Sequence, residues 1–166
     1  MNIDYKIKKE YFKMQVQNEK ELKLLERDFA DYVYRNFKLT LYKNDTLKKA
    51  DVEINDYPFS SDFPTFVTVG TVYPQKGYDR LLNIHKKLID EGFKHQLLII
   101  GDGYDFEAIQ NQLNTLRLQD TAKMLGFSSN PYPYMKKADF YIMSSRHEGF
   151  PTIIAEALIL NKPISA

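Results

Sequence analysis

At 166 residues the chain has room for one ordinary domain and a short extra segment, and is too short for two full domains. Hydrophobic residues make up 43% and charged residues 27%, which excludes a disordered chain, and a net charge of +1 offers no strong field for nucleic acid. Cysteine is absent, which removes disulfides, thiolate zinc sites and thiol nucleophiles. No apolar run approaches the roughly 20 residues that cross a bilayer, and the lysine-bearing start has no apolar stretch behind it to form a secretory signal. The expectation is a soluble cytoplasmic protein.

Residues 1–60 form a charged segment and linker. Residues 4–56 contain neither glycine nor proline and carry both charge signs at high density. Leu22, Leu25, Phe29, Tyr32 and Val33 recur at helical spacing, so 18–36 reads as an amphipathic helix with too little apolar surface to fold alone. It docks on the domain that follows, belongs to a part of the protein outside this chain, or serves a structural role as a solvated helix. The prolines from Tyr57-Pro58 through Phe63-Pro64 mark a boundary, and 61–166 reads as a separate domain.

That domain alternates strands and helices. The β-rich run Phe66–Val72 precedes a helix over Tyr78–Glu91, with Leu81, Leu82, Ile84, His85, Leu88 and Ile89 in helical period. A strand at Gln96–Ile100, a helix at Asp105–Leu118 and a short strand at Ala122–Leu125 come next. Then come a brief helix at Tyr132–Lys137, a strand at Asp139–Ser144, a helix at Thr152–Leu160, and a final strand from Lys162 that the chain end interrupts. Apolar strands without alternation, separated by helices, predict a doubly wound, Rossmann-like parallel α/β sheet of five strands, incomplete at its C-terminus.

In such a sheet ligands bind beyond the carboxyl ends of the strands where the order reverses, here between the first and fourth strands if the order is 3-2-1-4-5. The two loops at that point are Thr71–Gly77 and Ser145–Pro151. Each opens a helix, so each can aim unpaired N–H groups and a positive dipole end at an anion. Lys76 supplies an ammonium for phosphate oxygens, although a lone lysine is more often an ordinary surface residue. Gly77 and Gly149 remove side chains that would block close approach, and Pro151 suits a first helical turn. Glu156 sits in Thr152-Ile-Ile-Ala-Glu-Ala-Leu-Ile-Leu160, a helix apolar on nearly every face, where a carboxylate needs partners such as ribose or sugar hydroxyls. The bland alternative is a glutamate that simply points at water. Glu148 lies in the loop before that helix, too far along the chain to form a shared-proton pair.

The run Glu148-Gly-Phe-Pro-Thr-Ile-Ile-Ala-Glu156 resembles the E-x7-E motif of retaining family-4 glycosyltransferases with the GT-B fold. Val69-Gly-Thr-Val-Tyr-Pro-Gln-Lys-Gly77 resembles their phosphate loop, and Ile100-Gly-Asp-Gly103, Leu125-Gly-Phe127 and Ala138–Arg146 match intervening landmarks in order. The resemblance covers about residues 64–166 and makes this a truncated donor-binding half. It implies that Gly70, Thr71, Lys76 and Gly77 face the donor diphosphate, together with the backbone of Gly149, Phe150, Pro151 and Thr152. Glu156 would hold the ribose hydroxyls, Gly126 and Phe127 would lie near the base, and Glu148 would act at the reacting centre. The implied donor is a UDP- or GDP-sugar and the acceptor a saccharide or lipid-linked sugar. No metal or other cofactor is implied. The acceptor domain, represented at most by a remnant in 1–60, would carry any peripheral association with the inner face of a membrane. Thr71 departs from the pattern, which has an arginine there. Two competing readings are weaker. Gly101-Asp-Gly103 is followed by Phe106 where a dinucleotide fingerprint needs glycine, and no G-x-x-x-x-G-K-S/T occurs. An inactive product that binds nucleotide weakly stands as the alternative to a transferase.

Overall fold

The structure is a computed structural model that describes residues 42–60, 62–147 and 152–165. The chain divides into two compact units, Met1–Tyr42 and Lys43–Ala166, and the helices and strands named here belong to the second. The amphipathic helix expected at 18–36 lies outside the described residues.

Residues 43–50 are helical (α1) and are followed by β1 (Thr65–Val69), a 3-10 turn (Pro74–Lys76) and α2 (Tyr78–Asp90). Then come β2 (Gln96–Ile100), α3 (Phe106–Thr115), β3 (Ala122–Met124), α4 (Tyr132–Lys137), β4 (Phe140–Ile142), α5 (Thr152–Ile159) and β5 (Ile164–Ser165). The strands form one sheet in the order β3-β2-β1-β4-β5, and every neighbouring pair is parallel. The doubly wound, Rossmann-like sheet expected from the alternation of elements is the one observed.

The period-two geometry of a strand divides the core. On one side Leu97 and Ile99 pack with Leu81 and Leu82 of α2 and with Ile109 and Leu113 of α3. On the other, Val67, Leu98, Ile100 and Tyr141 pack with Met135 of α4 and with Ala157 of α5. Both sides of β2 are therefore covered, and all five of its residues are buried. Each aliphatic side chain so enclosed contributes about 1.5–3 kcal/mol relative to exposure.

Ala50 of α1 joins the second core, and Thr46 is buried beside it. The segment after α1 is tied down by polar contacts. Asn130 Nδ2 donates to the Lys49 carbonyl at 2.9 Å, the Tyr134 hydroxyl reaches Asp56 at 2.9 Å, and Lys136 pairs with Asp51. Residues 43–59 are thus integral to the α4/α5 side of this unit. Among the described residues no helix is long and apolar enough to cross a membrane.

Candidate functional site

The order of strands reverses between β1 and β4, so the crevice above their carboxyl ends is the site to build. Chain leaving β1 remains pressed against chain leaving β2. Gly70 N–H donates to the Ile100 carbonyl and Val72 N–H to that of Asp102, both at 3.0 Å. Glycine is needed on the β2 side of this seam: a Cβ at Gly101 (φ +147°) would lie 1.9 Å from the Gly70 oxygen, and one at Gly103 2.6 Å from that of Val72. No side chain fits between these loops.

Pro74 starts the 3-10 turn without losing a needed donor, and Gly77 ends it in the left-handed region at φ 67°. Gly77 N–H closes the turn on the Pro74 carbonyl at 3.2 Å, and its own carbonyl accepts from Arg80 and Leu81 to open α2. Lys76 is half-buried because it folds back over the end of β1. A Cβ added to Gly70 would lie 3.4 Å from Lys76 Cε and 3.7 Å from Nζ. Thr71, beside it, is exposed.

The loop after β4 is laced to this turn. Ser144 Oγ donates to the Lys76 carbonyl at 2.8 Å, and Arg80 Nη2 donates to the Ser144 carbonyl at 3.2 Å. Arg146 N–H donates to the Gln75 carbonyl at 2.7 Å, Arg146 Nη2 pairs with Asp79 Oδ2 at 2.6 Å, and Nη1 reaches the Pro74 carbonyl. The Arg146 guanidinium holds the Asp79 carboxyl below its usual range, chiefly through this hydrogen bond. Lys76 and Gly77 are therefore brought against Ser144, and Pro74, Gln75 and Asp79 against Arg146, where the strand order reverses.

Gly126 belongs to the same rim: its carbonyl accepts the Gly101 N–H at 2.8 Å, and its φ of 74° turns the chain outward. Phe127, next in sequence, is 78% exposed. Thr152 begins α5 and is exposed, while Glu156 is half-buried. The apolar sequence around Glu156 predicts an enclosed carboxylate, yet α5 covers the sheet with a narrow stripe, leaving Leu158 60% exposed. The Glu156 charge acts on α1, helping, after Asp45 and Tyr132, to raise the pKa of Lys49. Glu148, Gly149, Phe150 and Pro151 lie outside the described residues. Among the described residues no group of three or more histidine, aspartate or glutamate side chains is placed to hold a metal ion.

Sequence reasoning did not single out Asp79, Arg80 and Arg146 as partners. Arg146 is 67 positions from Asp79, and no local pattern signals such a pair. A strongly polar cluster, Ser144-Ser-Arg146, at the end of an apolar strand was the available signal.

The family model for glycosyl transferases group 1 matches residues 49–166. The chain belongs to this family. Its sheet, with the reversal at β1 and β4, is that of the GT-B glycosyltransferases. An uncharacterized glycosyltransferase of Methanocaldococcus jannaschii is 30% identical over 158 residues, 90% of this chain and 38% of that protein. The chain thus spans well under half the length of the curated relatives it matches. A glycosyltransferase from Rickettsia africae superposes with a TM-score of 0.62 at 19% identity, over 72% of this chain and 34% of that one. The HepE protein of Anabaena in complex with UDP gives a TM-score of 0.55 at 22% identity, over 63% and 29%. The two structures share the fold.

Proposed function

We propose that the crevice between β1 and β4 takes the diphosphate of a nucleoside-diphosphate hexose, a UDP- or GDP-sugar. The domain would be the donor half of a retaining family-4 glycosyltransferase that passes a hexosyl group to a saccharide or lipid-linked acceptor. The observation that carries this is Lys76 laid over Gly70 at the reversal point of the sheet. An ammonium there, above a backbone stripped of side chains, suits a ligand with concentrated negative charge. The UDP in the HepE complex favours the same ligand class.

In this reading the charge that develops on the leaving diphosphate is met by Lys76 and by the N–H groups at the start of α5, so the residues supply its neutralisation without a cofactor. Gly126 and Phe127 border the base, Thr71 and Gly77 the phosphates, and Glu156 accepts hydrogen bonds from the ribose hydroxyls. Glu148 is assigned to the donor sugar and the reacting centre, with the backbone of Gly149, Phe150 and Pro151 beside the diphosphate. The acceptor side of the reaction is assigned to a second domain, because the matched region is 38% of the M. jannaschii relative. The chain by itself is expected to bind donor without robust transfer.

Glu156→Gln tests the ribose assignment. Titration calorimetry with UDP and GDP is expected to show binding weakened by about 1.5–3 kcal/mol, the range for hydrogen bonds to a charged group. The parent nucleoside should be penalised alike and a dideoxyribose analogue spared. Undiminished nucleotide binding by the folded variant would remove Glu156 from the site.

A further inference from the structure

The contacts between the loops after β1 and β4 converge on one ion pair, and its geometry assigns it a task that ligand contact would not explain. Arg146 Nη2 meets Asp79 Oδ2 at 2.6 Å while Nη1 of the same guanidinium reaches the Pro74 carbonyl. The planar fork thus grips both ends of the 74–79 segment at once, which a lysine's single ammonium cannot do. The neighbouring backbone is drawn in with it. Arg146 N–H donates to Gln75 at 2.7 Å, and Ser144 Oγ donates to the Lys76 carbonyl at 2.8 Å. The main chain that carries Lys76 is therefore set by the loop after β4.

We propose that Asp79 and Arg146 form a positioning pair that fixes the Lys76 turn for the donor diphosphate, without either side chain touching the donor. This rests on the donor-site reading of the β1–β4 crevice. Two facts separate positioning from direct binding. Each terminal nitrogen of Arg146 spends an N–H within the protein, one on a carboxylate and one on a carbonyl, which fixes the guanidinium on the turn. The Asp79 carboxylate, charged at neutral pH as any aspartate is and held so by Arg146, would also repel a diphosphate brought to that guanidinium. A contribution to fold stability alone is an insufficient account. Side chains 37% and 45% exposed form a pair whose stabilising effect is small, because water screens it.

The test uses the full chain with Arg146→Lys, Asp79→Asn, and the double variant that combines them. UDP, GDP and ADP are titrated by calorimetry, with thermal unfolding as a check on folding and hydrogen exchange at the Arg146 amide as a direct reading of the loop. Each single variant is expected to stay folded, to exchange that amide faster and to bind the preferred diphosphate roughly tenfold more weakly, since small misplacements of a binding group are costly. The double variant is expected to bind about as weakly as either single variant, within about threefold, the non-additivity of two residues that act on each other. Unchanged affinity in the single variants overturns the proposal and leaves the donor site standing. A double variant whose losses multiply to about a hundredfold also overturns it, because the two residues then act independently. If the parent binds no nucleoside diphosphate, the donor-site reading itself fails and the coupling goes with it, whatever the amide exchange shows.

Discussion

Gly77 and Ser144 approach so closely that a Cβ on the glycine would lie 2.3 Å from the serine's carbonyl oxygen. The contact joins the turn after β1 to the loop after β4, and Gly77 makes it from the left-handed region at φ 67°. Gly77→Ala therefore meets a backbone clash and a strained dihedral together. The expected cost is about 2–4 kcal/mol of stability, read as a lowered urea midpoint. A fully stable Gly77→Ala protein would mean that the two loops stand further apart.

Gly101 and Gly126 give a paired test of the rim. Both have positive φ, but a Cβ at Gly101 would meet the Gly70 oxygen at 1.9 Å, whereas one at Gly126 meets nothing within 4 Å. Gly126→Ala should cost only the dihedral strain, about 1–2 kcal/mol. Gly101→Ala should cost about 3 kcal/mol or more, because backbone must move. Denaturant titration of the two variants checks the order, and equal losses would refute the close seam between the β1 and β2 loops.

The sequence carried the fold through alternation, and the exceptions have local causes. The run through Val72 reads as strand because it is β-rich, and Val72 is fully buried, yet the ladder stops at Val69 and the chain continues paired only toward the β2 side. Leu118 continues the helical pattern of α3 and is buried, but the helix ends at Thr115. Arg117 takes φ 56°, and Leu118 N–H folds back to the Leu113 carbonyl at 3.1 Å, a left-handed cap that periodicity does not register. The reversal of the sheet between β1 and β4 was legible because the alternation of strands and helices implies the doubly wound order. The Asp79–Arg146 pair was not, since it is created by the approach of two loops distant in sequence. The exposure around Glu156 depended on how much of the sheet α5 covers, which the residues of α5 alone do not state.

At the opposite end of the sheet His85 is buried in α2, and its ring nitrogens lie 2.8 Å from His95 Nε2 and 3.0 Å from Thr121 Oγ1. Burial, then the neighbouring His95, lowers its pKa from 6.5 to about 4. The unfolded chain therefore binds a proton at a higher pH than the folded one. Stability should be full above the unfolded value and fall as pH drops toward 4, by up to about 3 kcal/mol. Urea midpoints measured across that window should show the decline, and His85→Gln should flatten it even if the variant is less stable throughout. A parent protein whose stability is unchanged over the window would contradict a neutral, buried His85.

Calorimetric titration of Lys76→Ala beside the parent tests whether the β1–β4 crevice binds a nucleoside diphosphate through Lys76. The parent should bind one of UDP, GDP or ADP. Lys76→Ala should weaken that binding by about 1.5–3 kcal/mol, more at low salt than at high, because a charge-assisted contact is lost from a partly exposed site. The corresponding nucleoside, lacking phosphate, should bind both proteins equally. A folded Lys76→Ala chain that binds the diphosphate as tightly as the parent at every salt concentration would remove Lys76 from the donor site.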